Sequence, residues 1–105
     1  MEFGLKENIV SWLRNLFSLH KEIEKVIIYG SRAMDNYREG SDIDLTIVGE
    51  NITLSLLLNL KTEINDSTMP YKVDLSIYDK IENPALIKHI EEYGKVFYER
   101  NVAGC

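Results

Sequence analysis

The chain has one cysteine, and it is the last of 105 residues. No intrachain disulfide can form, and Cys105 with two distant histidines, His20 and His89, cannot build a zinc cluster. Cys105 reads as an inert terminal thiol. Long apolar runs are missing as well. Nothing approaches the ~18 consecutive apolar residues that span a bilayer, and no signal-peptide pattern opens the sequence. A cytoplasmic protein with no membrane partner is therefore expected. Basic charge is in short supply, with 12 Lys and Arg against 17 Asp and Glu, a net charge of -5. The basic residues are scattered singly, which argues against a protein that holds duplex nucleic acid by its phosphates. No repeat, low-complexity tract or linker interrupts the chain, so one domain over 1–105 is expected, with 99–105 as a loose tail.

What is present suits a small globular protein. An apolar fraction of 45% beside 28% charged residues is ordinary, and a chain of this length buries about two-thirds of its unfolded surface. Leu5, Ile9, Leu13, Leu16 and Phe17 recur at helical spacing and predict a helix over residues 3–20. A second helix is predicted over 53–64. A third is opened by Asn83-Pro84 and stopped by Gly94. The apolar arcs of the first two are roughly 200° wide, broader than one core face needs, and the surplus is expected to be buried within the domain. Val26 to Tyr29, Ile43 to Val48 and Lys72 to Tyr78 read as strands, with Val96-Phe97-Tyr98 as a last short extended piece. The fold class is α/β (α+β), a small mixed sheet of about three to four strands flanked by helices.

The chemistry gathers between Val26 and Gly49. An apolar strand runs into Gly30-Ser31, a polar connection follows, and Asp42-Ile43-Asp44 opens the next strand. Alternation puts Asp42 and Asp44 on one face and Ile43, Leu45 and Ile47 on the other. On the third strand, Lys72, Asp74 and Ser76 stand opposite Val73, Leu75 and Ile77. If both apolar faces pack on one helix layer, the three carboxylates emerge together. Their mutual repulsion raises their pKa values until a cation neutralises it. Hard oxygen ligands with no His or Cys at hand select Mg2+ or Mn2+. The Gly30-Ser31 turn can accept a phosphate through its N–H groups and hydroxyl, and Arg32 is placed to add charge-assisted bonds to it. Such parts suit an in-line phosphoryl transfer, in which metals stabilise both the attacking and the leaving oxygen. Singly, a Gly-Ser turn or an Asp-x-Asp pair is most often structural. The conjunction is specific.

Gly30-Ser31-Arg32-Ala33 followed by Ser41-Asp42-Ile43-Asp44-Leu45 resembles the signature of the polymerase-beta-like nucleotidyltransferase superfamily. With Val73-Asp74-Leu75 and the ending Gly94-Lys95-Val96-Phe97-Tyr98, the chain from Val26 onward looks like its minimal nucleotidyltransferases. These are often paired with small helical HEPN-type proteins in toxin–antitoxin arrangements. The resemblance implies the nucleotidyltransferase fold, Mg2+ and a nucleotide donor, ATP or another NTP. By match to the motif, Gly30 and Ser31 hold the triphosphate, Asp42 and Asp44 bind both metals, and Asp74 is the third carboxylate. It further implies transfer of AMP to a hydroxyl, such as a tyrosine of a HEPN-type partner. Met34-Asp35 departs from the pattern, since similar members carry a basic residue and a glycine there. Asn36 is expected to supply the left-handed residue, while Asp35 adds negative charge near the triphosphate. No segment is long enough for an acceptor or template domain, so the acceptor site is expected from a partner or from a second copy of the chain. Two other readings stay open. One is a catalytically weak or inactive module that neutralises a helical partner by binding. The other, a nucleic-acid polymerase, is disfavoured by the lack of a basic groove.

Overall fold

Val26 and Ile28 on one strand, and Ile43, Leu45 and Ile47 on the next, have no exposed surface, and the sheet is built around them. The computed structural model describes residues 2–100. In chain order the elements are α1 (Glu7–Ser18), β1 (Lys25–Tyr29), β2 (Ile43–Val48), α2 (Leu54–Asp66), β3 (Val73–Ile77), a single 3-10 turn (Tyr78–Lys80), α3 (Pro84–Tyr93) and β4 (Lys95–Glu99). The strand order is β3-β2-β1-β4. β1 pairs antiparallel with β2 and β4, and β2 pairs parallel with β3. A parallel pair needs a crossover, which α2 supplies. The result is the expected mixed α/β fold, with four strands.

One face of the sheet carries the core. Val10, Leu13, Leu16 and Phe17 of α1 and Leu56, Leu57, Leu60 and Ile64 of α2 join the buried strand residues in a single cluster. The other face belongs to α3, which packs on β1. There a Cβ on Gly94 would collide with Ile27 and with the Ile90 carbonyl. Gly94 ends α3 through this close approach and not through a left-handed turn, since its φ is -64°. Asn83 caps α3 as expected, its side chain accepting from the Ala85 and Leu86 N–H groups, with Pro84 as the first helical residue. Thr53 caps α2, accepting from the Leu56 N–H at 3.1 Å.

Several expectations need correction. α1 starts at Glu7, because Phe3 and Gly4 are left-handed (φ 56° and 72°) and fold residues 2–5 into a turn. The apolar surplus of the helices is not buried within the domain. Leu19 is 75% exposed, Leu54 64% and Leu58 53%. α1 and α2 each meet one face of the sheet, and four residues of each fill that contact. Glu99 belongs to β4, and the Arg100 N–H donates to the Glu24 carbonyl at 2.8 Å, so the segment expected as tail begins later. Its remainder, residues 101–105 with Cys105, lies outside the described residues. Among the described residues no helix is long and apolar enough to cross a membrane.

Candidate active site

The face of the sheet opposite the main core begins with β2 alternation, which turns Asp44 and Thr46 away from Ile43, Leu45 and Ile47. In register, Asp44 lies between Tyr29 of β1 and Asp74 of β3. Asp42 sits just before β2, where the Ile43 N–H donates to the Lys72 carbonyl at 2.9 Å and starts the parallel pairing. Asp42 and Asp74 are exposed and Asp44 is half-buried. Burial is the main cause that holds the Asp44 carboxyl above its ordinary pKa, and the charges of Asp74 and then Asp42 add to it. The structure thus brings the three sequence-predicted carboxylates into one electrostatic cluster.

As placed, no three His, Cys, Asp or Glu side chains among the described residues stand close enough together to hold a metal ion. Like charges favour standing apart when no cation lies between them. The donor chemistry fits a hard divalent ion all the same, because Asp44 already carries an uncompensated repulsion that such an ion would remove.

Below the carboxylates runs a short polar ladder. Tyr29, 7% exposed, is hydrogen-bonded to Ser76. The Ser76 hydroxyl donates in turn to Thr46 Oγ1 at 3.0 Å. Burial pushes the Tyr29 phenol above its ordinary pKa, the Ser76 bond opposes this, and the charges of Asp74 and Asp44 raise it further. Tyr29 therefore stands as a neutral phenol beneath the site.

The turn after β1 is tied to Asp44. Gly30 has φ 76°, and a Cβ there would collide with Asp44 Oδ2. Both facts call for glycine. The Met34 N–H donates to the Gly30 carbonyl and the Asn36 N–H to the Ser31 carbonyl, each at 3.1 Å, which closes the turn with Ser31 half-buried beside it. The left-handed residue is Asp35 itself, with φ 62°, and not Asn36. Both types tolerate that conformation, and Asp35 takes the place where similar sequences have glycine.

Arg32 does not reach toward a phosphate. It is 3% exposed. Its Nε and one terminal nitrogen donate to the Ser41 carbonyl at 3.1 and 2.8 Å, and the other donates to the Phe3 carbonyl at 2.8 Å. Its guanidinium carbon stands 5.3 and 4.9 Å from the ring centroids of Tyr37 and Tyr71. The guanidinium fork is spent on holding three chain segments together, so the phosphate-binding role expected for it is withdrawn.

One residue escaped the sequence reading. The Gly30 N–H donates to His89 Nε2 at 3.0 Å, and the ring lies near Tyr29 and Tyr93, with centroids 6.2 and 5.3 Å away. Accepting at Nε2 requires the neutral ring with its proton on Nδ1. Only the packing of α3 on β1 could have found it, because nothing local marks His89.

The comparisons with known proteins agree with this fold. The family model described as polymerase beta nucleotidyltransferase matches residues 12–103. The chain is 35% identical over 91 residues to MJ1217 of Methanocaldococcus jannaschii, named as a protein adenylyltransferase, covering 79% of this chain and 92% of that one. Among solved structures, a toxin–antitoxin crystal structure with AMP-PNP superposes with a TM-score of 0.67 at 18% identity, covering 92% of this chain and 76% of the other. A complex of tri-AMPylated Shewanella oneidensis HEPN toxin with MNT antitoxin gives a TM-score of 0.59 at 17% identity, covering 90% and 70%. At such identities the structural likeness speaks for the fold.

Proposed function

From the premise that the chain belongs to the polymerase beta nucleotidyltransferase family, we propose that it transfers AMP from ATP to a protein hydroxyl, with Mg2+ held by Asp42, Asp44 and Asp74. The carrying observation is the parallel register that sets Asp74 beside Asp44, while the Gly30 turn abuts Asp44 from the other side. The donor and acceptor sides of a transfer site are thereby separated by the carboxylates.

The roles follow from position. Gly30, held by His89, lets the backbone approach the triphosphate, and Ser31 adds its hydroxyl. Asp44 stands centrally with Asp42 beside it. Asp74 orients the acceptor hydroxyl and receives its proton. Bound Mg2+ would neutralise the phosphates and lower the pKa of that hydroxyl. One domain over 1–105 carries the whole site, and a cytoplasmic setting suits ATP as donor. A small helical HEPN-type partner is supported by the complex of a HEPN toxin with an MNT antitoxin among the structural neighbours. The exposed Leu19, Leu54 and Leu58 offer it apolar surface.

The test is incubation with labelled ATP, Mg2+ and the product of the adjacent reading frame. Transfer of label, abolished by a chelator, is expected. No transfer to any acceptor, together with no nucleotide binding by calorimetry, would overturn the reading. Asp35, exposed in the turn that should cradle the triphosphate, favours a second reading as a binding module with a relic site. If an Asp42→Asn, Asp44→Asn variant neutralises the partner as well as wild type does, that second reading holds.

A further inference from the structure

β3 is an edge strand, paired on one side only. The Ile43 N–H donates to the Lys72 carbonyl, and in a parallel ladder alternate residues turn their backbone groups to the partner. Lys72, Asp74 and Ser76 therefore face β2, while the N–H and carbonyl groups of Val73, Leu75 and Ile77 face outward. Among the described residues nothing pairs with them there. We propose that this edge, with the groove that α2 forms over it, takes up an extended segment of a partner protein as a fifth strand, apolar at positions i and i+4 and acidic at i+2. The inference does not depend on the transfer reading above.

The two edges of the sheet differ. Sheet edges are commonly guarded against chance pairing by charged residues, proline or bulges. β4, at the far edge, begins with Lys95, ends with Glu99 and pairs with β1 through an irregularity at Val26 and Ile27. β3 has neither lysine nor proline, and its pairing with β2 runs unbroken. Its one charge, Asp74, belongs to the polar face. The edge is unguarded.

Cavities between α2 and β3 select the occupant. At the Ile77 end, Leu54, Leu57 and Ile81 line one of 820 Å3. At the Val73 end, Ile64 lines one of 220 Å3, and Lys61 stands in both. An added strand turns every second side chain to the α2 side. In an antiparallel ladder, the more stable kind per residue, positions i, i+2 and i+4 lie opposite Ile77, Leu75 and Val73. The first meets the larger cavity and takes leucine, the last meets the smaller and takes valine, and the middle one meets Lys61. Charge points the same way. The two linings hold Lys61, Lys72 and Lys80 but one carboxylate, Asp74, in a chain whose net charge is -5. A second copy of β3 centred on the same edge would bring Leu75 to Lys61 in place of a carboxylate, so a partner of different sequence fits better. Backbone bonds supply the affinity of such a strand, and the two cavities its specificity.

The probe is a fluorescent heptapeptide with blocked ends, Asp-Leu-Thr-Glu-Thr-Val-Asp, titrated without nucleotide. At saturation the amide protons of Val73, Leu75 and Ile77 should exchange with solvent at least about tenfold more slowly, while those of Asp74 and Ser76, already turned to β2, should not change. A peptide of the same composition with leucine and valine three positions apart should bind at least about tenfold more weakly. Methylating the glutamate nitrogen, which faces Leu75, should cost about tenfold, and methylating the threonine nitrogen after it, which faces away, should cost little. Lys61→Glu should weaken binding at least about tenfold, with Lys61→Gln between and melting curves showing that both variants fold. No binding, unchanged exchange at the three amides, equal binding of the respaced peptide, or methylation without effect would overturn the proposal. If the protein alone already protects these amides and loses that protection on dilution as a dimer dissociates, the edge belongs to a second copy and the peptide assignment falls.

Discussion

Replacing Asp74 by Asn separates the two sides of the proposed site. Asp74 faces Asp44 across the parallel pair, whereas the Gly30 turn abuts Asp44 from the β1 side. The grip on the donor is therefore preserved, and Mg·ATP affinity stays within several-fold. The acceptor loses its proton acceptor, so single-turnover transfer falls by about two decades, roughly 2.7 kcal/mol of barrier. The fold gains slightly. Like charges directly opposite on neighbouring strands cost about 0.2–1 kcal/mol, and the exposure of Asp74 places this pair at the lower end. At about 4–8 °C per kcal/mol for a domain of this size, the metal-free variant melts roughly 1–3 °C higher. Calorimetry gives the affinity, and rapid mixing with saturating Mg·ATP and acceptor gives the rate. Transfer at the wild-type rate would show Asp74 to be a solvated strand residue and the three-carboxylate site to be wrong. An affinity loss as large as the rate loss would refute the division into two sides.

Gly30→Ala imposes a left-handed alanine, at about 1–2 kcal/mol, and drives the Asp44 carboxylate from its place; denaturant titration should show the loss, and unchanged nucleotide affinity would contradict the role of the turn. Arg32→Lys gives up the guanidinium fork and its stacking, destabilising by about 1.5–3 kcal/mol with the ATP affinity of the folded protein unchanged. Weaker ATP binding at full stability would return Arg32 to the phosphates. His89→Ala frees the Gly30 N–H and should weaken Mg·ATP binding more than it slows single-turnover transfer at saturation, while His89→Gln, which keeps an acceptor, restores part of the affinity; equal behaviour of the two variants would sink the hydrogen bond's importance. The last concerns pH. Asp44 has a folded pKa above its unfolded one, so the folded state binds that proton more tightly, and ionised Asp44 costs stability at neutral pH. In chelator, Asp44→Asn should exceed wild type in stability at pH 7, and the gap should close as pH falls through the raised pKa toward the ordinary carboxylate range. A gap that widens on acidification would contradict the assigned repulsion.

The strands and the polar face were legible because period-2 alternation in Ile43–Val48 and Val73–Ile77 leaves little choice of side. That Asp44 and Asp74 are direct neighbours was not legible, since it depends on which strands pair and in what register. Arg32 shows the limit most clearly. Its place after Gly-Ser suggested a phosphate, but its partners come from Phe3, Tyr37, Ser41 and Tyr71, four positions that only the fold brings together. His89 was hidden for the same reason. Leu5 continues the helical spacing of Ile9 and Leu13, yet it lies in a turn, because a buried leucine satisfies the pattern whether or not the backbone at Phe3 and Gly4 is helical. The wide arcs of α1 and α2 were read correctly as a surplus, and the width of the sheet face decided where it went.

The register of β3 has a consequence for how this protein can change over generations. A slip of one residue would turn Leu75 and Ile77, 2% and 6% exposed, to the polar face and bury Lys72, Asp74 and Ser76. Selection for folding alone forbids it. Insertions and deletions between α2 and β3 must then be absorbed in residues 67–72, and Asp74 returns to its place beside Asp44 whatever the loop length. A lineage descended from this chain therefore drifts freely in that loop without losing its carboxylate geometry. On the proposed reading, its chemistry would be lost by point replacement at one of the three aspartates, a change that would leave the fold intact and remove a repulsion.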